Sequence, residues 1–168
     1  PILFDLPVPH SHRAPSKEAL DWINSSLRNV GDRLAKEPNE VFLLIDKAHL
    51  LQCQGNLKEA ISQCEMANKW KKTGFGLYRH ASIEFDLGHW QRTVDDTNEA
   101  LELLPDNKEI LALRLAANTK LNKNTEAMRD ELIILQLLKD DVLKRKQAVI
   151  DLIALAKKNA GRARFGWG

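Results

Sequence analysis

Apolar residues recur along most of this chain at spacings of three and four, separated by short polar breaks. Leu20, Ile23, Leu27, Val30 and Leu34 form the first such series, a spacing that predicts one buried face of a helix. Ser16 suits the start of that helix, and Pro38 ends it near Lys36. From Glu40 onward the pattern becomes repetitive. Leu44, Ala48 and Leu51 mark one helix, Gly55 marks a turn, and Leu57, Ala60, Ile61, Cys64 and Ala67 mark a second helix. Leu77, Tyr78, Ala81 and Phe85 then precede Gly88. Trp90, Val94, Thr97, Ala100 and Leu101 follow it, up to a stop at Pro105-Asp106-Asn107. Gly55 and Gly88 stand one period apart, and Ala67 and Ala100 follow them at the same offset. Glycine accepts a left-handed turn without steric cost, and alanines are small enough for two helices to cross closely.

A weaker third copy begins near Lys108, with Ile110, Leu111, Leu115 and Leu121 on its first helix. There Leu121-Asn122-Lys123-Asn124 replaces the glycine turn, asparagine being the second choice for that geometry. Glu126-Ala127 echoes Glu59-Ala60. The chain then becomes more apolar at Leu132, Ile133, Leu135, Leu137 and Leu138. A last helix, expected at about 141–159, carries Val142, Val149, Ile153 and Ala156 on one face, and Gly161 suits its C-cap.

Paired helices with a period of roughly 34 residues resemble the tetratricopeptide repeat (TPR) family. The residues that carry the likeness are Leu44, Ala48, Leu51, Gly55, Ala60 and Ala67 in the first repeat. In the second they are Leu77 or Tyr78, Ala81, Gly88, Ala100 and Pro105. Lys72 stands where the first repeat should close with proline, and Thr93 replaces an alanine. The likeness spans about residues 40–138. It implies an all-α fold, an α-solenoid of TPR-like helix-turn-helix repeats with a capping C-terminal helix. The organisation expected is an extended Pro/His-rich arm at 1–15, a helical domain at 16–160 and an Arg/Gly/aromatic tail at 161–168. Within the domain the repeats fall at about 40–72, 74–107 and 108–138, and the capping helix at about 141–159.

The resemblance also implies a non-catalytic role in holding another protein, as an adaptor or a structural subunit of a larger assembly. In the family, the first helix of each repeat lines a concave groove. The matching residues here are Phe42, Ile45, His49 and Gln52, then Phe75, Tyr78, Arg79, Ser82 and Phe85, then Ala112 and Ala116. Large apolar side chains suit an apolar helix or an extended peptide as partner. Two alternatives stay open: several of these residues are core, or the chain's own residues 1–12 fill the groove through Phe4 and Leu6. Some family members clamp the C-terminal carboxylate of a chaperone. The matching positions here are Ile45, His49, Arg79, Glu109 and Leu113. Of these only Arg79 suits a carboxylate and Glu109 repels one, so chaperone-tail recognition is disfavoured.

Charge adds a second candidate face. Net charge is +2, but residues 139–168 hold eight Lys/Arg against Asp140, Asp141 and Asp151, a local +5, which leaves −3 elsewhere. Lys144, Arg145, Lys146, Lys157, Lys158, Arg162 and Arg164 lie near Phe165 and Trp167. Cations interleaved with aromatics can neutralise phosphates and stack bases, so a nucleic-acid-associated factor is the alternative function. A solvated helix face with a basic tail is the plainer reading.

Other chemistry finds no support. At 43% hydrophobic and 29% charged the chain is neither disordered nor built to span a membrane. Phosphate-loop, GxSxG and HExxH motifs are absent, so no enzyme activity and no cofactor are expected. His49 and Cys53 share a helix face, with Cys64 on the next helix, yet no CxxC or HxxxH pair completes a zinc set. Cys53 and Cys64 make no disulfide framework, which favours an intracellular reducing compartment, with the cytoplasm as the expectation and an organelle interior as the alternative if a targeting segment was removed. The chain starts at Pro1, which fits loss of an initiator Met, removal of a targeting segment, or a piece of a longer protein.

Overall fold

The computed structural model describes the backbone of residues 15–164 and the side chains of residues 15–154. Among the described residues all regular structure is helical. The order is α1 Lys17–Lys36, α2 Val41–Gln54, α3 Leu57–Trp70, α4 Gly74–Asp86, α5 Trp90–Leu103, α6 Lys108–Lys120 and α7 Asn124–Arg164. The chain divides into two units, Pro1–Glu131 and Leu132–Gly168.

Local chemistry sets the boundaries in the first unit. Ser16 Oγ accepts the Ala19 amide at 3.2 Å, Thr73 Oγ1 the Gly76 amide at 3.0 Å, and Asn107 Oδ1 the Ile110 amide at 2.9 Å. Each satisfies a donor that the first helical turn leaves unpaired. The three hairpin turns take positive φ at Gly55 (87°), Gly88 (79°) and Asn122 (58°). These turns recur at nearly equal intervals along the chain, so the third copy preserves the geometry although asparagine replaces glycine.

The repeats superimpose in burial as well. Leu44, Leu77 and Leu111 are buried at matching positions of α2, α4 and α6. This settles the register: Leu77 is the core residue, and Tyr78 stands one position beyond it. On the second helices, Ala60, Cys64 and Ala67 match Thr93, Thr97 and Ala100, and all six have no solvent exposure. Thr93 can replace an alanine because its hydroxyl reaches the backbone carbonyls of His89 (3.3 Å) and Ala81 (3.4 Å). Thr97 Oγ1 likewise donates to the Thr93 carbonyl at 2.7 Å.

α1 packs on α2 through Ile23, Val30, Leu43 and Leu50. Ala48 and Leu51 of α2, Ala60 and Cys64 of α3, and Ile83 of α4 make the next cluster. The first helices of successive repeats touch, α2 with α4 and α4 with α6, whereas α3 and α5 do not meet among the described residues. A row of helices in contact on one side and separated on the other curves toward the side in contact. The face shared by α2, α4 and α6 is therefore the inner face of this unit.

Between helices of one pair the same polar device appears twice. His80 Nδ1 lies 2.7 Å from Asp96 Oδ2. One period later, Arg114 Nε and Nη2 donate to both oxygens of buried Asp130, at 3.0 and 2.6 Å. A bidentate guanidinium–carboxylate pair fixes orientation as well as energy, so it sets how α7 starts against α6.

α7 departs from expectation. The sequence pattern places a separate capping helix at about 141–159, after a third repeat ending near 138. Instead, α7 runs unbroken from Asn124 to Arg164. Lys139, Asp140 and Asp141 are polar but contain no breaker, and only glycine or proline ends a helix strongly from within. Gly161, expected to cap the helix, lies inside it.

Two outcomes follow from these pairs. Asp130→Ala should lower the unfolding free energy by about 2 kcal/mol, because it leaves the half-buried Arg114 without its carboxylate partner while its bond to Asn98 remains. Arg114→Met with Asp130→Leu should recover much of that loss in urea titrations. For His80, the hydrogen bond to Asp96 is the main influence raising the imidazole above its ordinary value near 6.5. Burial opposes the rise, and the charges of Asp96, Glu84 and Glu65 add to it. A raised folded value stabilises fully below the unfolded value and is lost as pH rises through the folded one. The melting-temperature gap between the wild type and His80→Gln should therefore be widest near about pH 5.5 and shrink toward about pH 9.

Candidate functional site

The inner face is built from α2, α4 and α6, and helix packing decides which of its residues stay accessible. Phe42 and Phe75 are each the second residue of their helix, one repeat apart, and are 59% and 53% exposed. Their neighbours Leu43, Leu44 and Leu77 fill the core, so the phenylalanines cannot turn inward without displacing them. Tyr78, Arg79, Phe85 and His49 are half-buried on the same helices. Ala112 and Ala116 hold equivalent half-buried places on α6.

Three of the expected inner-face residues are interior instead: Ile45, Ser82 and Gln52, the last 5% exposed. Ile45 is 8% exposed and packs with Leu44 and Ala67. Ser82 is buried and accepts a hydrogen bond from Gln52 Nε2 at 3.0 Å. The cause is the close approach of α4. A Cβ on Gly76 would lie 3.5 Å from Ile45 Cδ1 and 2.6 Å from Asn68 Oδ1, and one on Gly74 would lie 2.5 Å from Leu104 Cδ1. These glycines let α4 sit against its neighbours, and positions facing the α2–α4 seam are covered.

A polar relay crosses that seam. Gln52 Nε2 donates to Asp86 Oδ2 at 2.6 Å, and Arg79 Nη1 donates to Gln52 Oε1 at 3.1 Å. The guanidinium also lies 5.9 Å from the centre of the Tyr78 ring, within cation–π range. Its Nε is buried with no hydrogen-bond partner. Arg79 is thus held in place by side chains from both helices. Neither Gln52 nor Asp86 signalled this pairing in the sequence, because they stand one repeat apart on different helices and only packing joins them.

A shallow cavity of about 350 Å³ lies elsewhere, at the turn end, lined by Gly88–Arg92 and Leu121. It sits at the opposite end of α4 from Phe75. Buried Glu84 organises this corner, its carboxylate lying 2.5 Å from His89 Nδ1 and 3.4 Å from Arg92 Nη1. His89 and Arg92 are thereby directed toward an internal carboxylate.

Solved structures share this fold. The chain is similar to a protein described as "MamA protein", with a TM-score of 0.64 at 14% identity, covering 90% of this chain and 91% of that one. A second structure, described as "MamA", gives 0.59 at 15% identity over 93% and 99%. The fold is an all-α solenoid of TPR-like helical hairpins. At such identities the likeness is one of fold. No protein-family model matches the chain, and no curated protein matches it in sequence.

Of the basic residues singled out from the sequence, Lys144, Arg145 and Lys146 are exposed on α7. The side chains of Lys157, Lys158, Arg162 and Arg164 lie outside the described residues. So do the arm at 1–14 and the tail at 165–168. Among the described residues no helix is long and apolar enough to cross a membrane. No group of three His, Cys, Asp or Glu side chains among them is placed to hold a metal ion. His49 Nδ1 lies 3.7 Å from Cys53 Sγ, while Cys64 belongs to the α2–α3–α4 core.

Burial raises both thiols, Cys64 up to about 12 and half-buried Cys53 less far. A thiol reagent at neutral pH should therefore modify Cys53 slowly and leave Cys64 untouched until the chain is denatured. Rapid reaction of both in the native protein would contradict this packing.

Proposed function

We propose that this chain is a TPR-family, non-catalytic interaction module, an adaptor or a structural subunit that binds another protein through the inner face of α2, α4 and α6. One observation carries the reading: Phe42 and Phe75 stand exposed at equivalent positions of helices that touch each other. Large aromatics in water, repeated at one register and backed by a packed core, fit an anchor for a partner's apolar side chains. Tyr78, His49 and Phe85 extend the surface, and Arg79, fixed against Tyr78 and Gln52, adds an oriented donor within it. The preferred ligand is an apolar helix or an extended peptide that also offers an acceptor to Arg79. Glu109, exposed on the neighbouring α6, disfavours a multiply charged carboxylate tail. The terminal arms at 1–15 and 161–168 are proposed as further contacts with the same assembly.

A second reading rests on Lys144, Arg145 and Lys146, exposed together on α7, which suit phosphates. The two readings separate by salt, since phosphate contacts weaken steeply with ionic strength and apolar anchors do not.

The test uses the wild type and a Phe42→Asp/Phe75→Asp variant as immobilised baits in native lysate, at low and at high salt. A stoichiometric protein set that survives high salt on the wild type and is lost on the variant is the expected result. Retention of that set by the variant, or capture of nucleic acid alone with loss at high salt, would refute the inner-face reading. Circular dichroism should show unchanged helicity, because both substituted side chains are already exposed.

A further inference from the structure

The second unit carries a different surface. Every residue from Val142 to Ala154 is exposed. Within it Val142, Leu143, Val149, Ile150, Leu152 and Ile153 are 48% to 65% exposed. Polar side chains normally fill a solvated helix, and this much contiguous apolar surface marks a docking face.

The pattern on that face is ordered. Leu135, Val142 and Val149 recur every heptad, and Leu138, Arg145 and Leu152 each follow three positions later. Alternating spacings of three and four with Leu and Val are those of a helix that pairs with another helix. Arg145 is the one member of this series that is not apolar. At 3.6 residues per turn, Arg145 and Lys146 fall roughly 60° and 40° to either side of Val142. Lys139 lies on the same side as Lys146. Asp140 and Asp151 fall on the far side of the helix, bonded to Gln136 and Gln147 at 2.9 Å. Asp141 stands at the margin, beyond Leu152.

Arg145, Lys146 and Lys139 therefore stand within the apolar face, while Lys144 falls behind it with the two carboxylates. We infer that α7 from the half-buried turn at Leu138 through the exposed stretch to Ile153 docks an acidic amphipathic helix. That partner supplies its own apolar seam, one carboxylate opposite Arg145 and further carboxylates beside Lys139 and Lys146. A second copy of this chain is disfavoured because it would bring these same cations together, on units that carry +5 over residues 139–168. A membrane surface fits less well, since interfacial helices hold their cations on the polar face, away from the centre of the apolar arc.

The experiment uses the full chain and two synthetic helices of about three heptads. Both share an Ile/Leu seam with one charged position. One peptide carries Glu at that position and at the flanks, and the other carries Lys throughout. The acidic peptide should bind the wild type and lose about tenfold in affinity on Arg145→Glu/Lys146→Glu. The lysine peptide should bind that variant better than the wild type, a reversal that misfolding cannot produce. Equal binding of both peptides to the wild type, binding of neither, or undiminished binding of the acidic peptide by the variant would each overturn the assignment. So would adsorption of the wild type to vesicles of phosphatidylserine and phosphatidylcholine without binding of the acidic peptide.

Discussion

Close approach of helices at small residues is the constraint on which the first unit depends. Ala48, Ala60, Ala67, Ala81 and Ala100 have no solvent exposure, and Cys64, Thr93 and Thr97 match them. Where two helices cross at such residues, a single added methylene has nowhere to go. Gly74 and Gly76 extend the same constraint to the start of α4, where an added Cβ would clash with Leu104 or Asn68. The threonines are admitted because their hydroxyls bond backbone carbonyls of the same helix pair. Small residues bring the helices together, and that proximity decides which positions of α2 and α4 are covered.

The placement has a direct consequence for function. With α2, α4 and α6 in contact, side chains between them are covered, and Ile45, Gln52 and Ser82 become interior. Those just outside the seam are left in water on a rigid support. Phe42 and Phe75 are presented in this way, with little freedom to retreat. Preorganised anchors of this sort limit the ordering cost that a partner must offset on binding. Arg79 is ordered by the same seam through Gln52 and Asp86, so the polar element of the proposed surface is as fixed as the aromatic ones.

α7 combines two kinds of environment in one continuous helix. Its first turns belong to the repeat, anchored by the bidentate pair of Arg114 and Asp130. From Val142 its side chains are exposed, and their pattern is no longer that of a repeat. The heptad spacing and the cations on the apolar face suit a helix partner in place of a core. The two proposed surfaces thus differ in chemistry, one aromatic and inward, the other aliphatic and basic.

Much of the fold could be read from the residues themselves, because periodicity and turn chemistry are local. Spacings of three and four, glycine at 55 and 88, asparagine at 122 and Ser16 at a helix start each act within a few residues. They determined the hairpins and the repeat length. The unbroken course of α7 was not legible, because the polar cluster at 139–141 reads as a boundary although it lacks a breaker. The site was less legible still. Exposed and buried positions on α2 and α4 have the same periodicity, so Phe42 and Ile45 could not be told apart, nor could Leu77 and Tyr78. That distinction, together with the pairs Gln52–Asp86 and Arg114–Asp130, was decided only by tertiary structure, because burial and long-range hydrogen bonds depend on which neighbouring helix covers a residue and not on its own place along the chain.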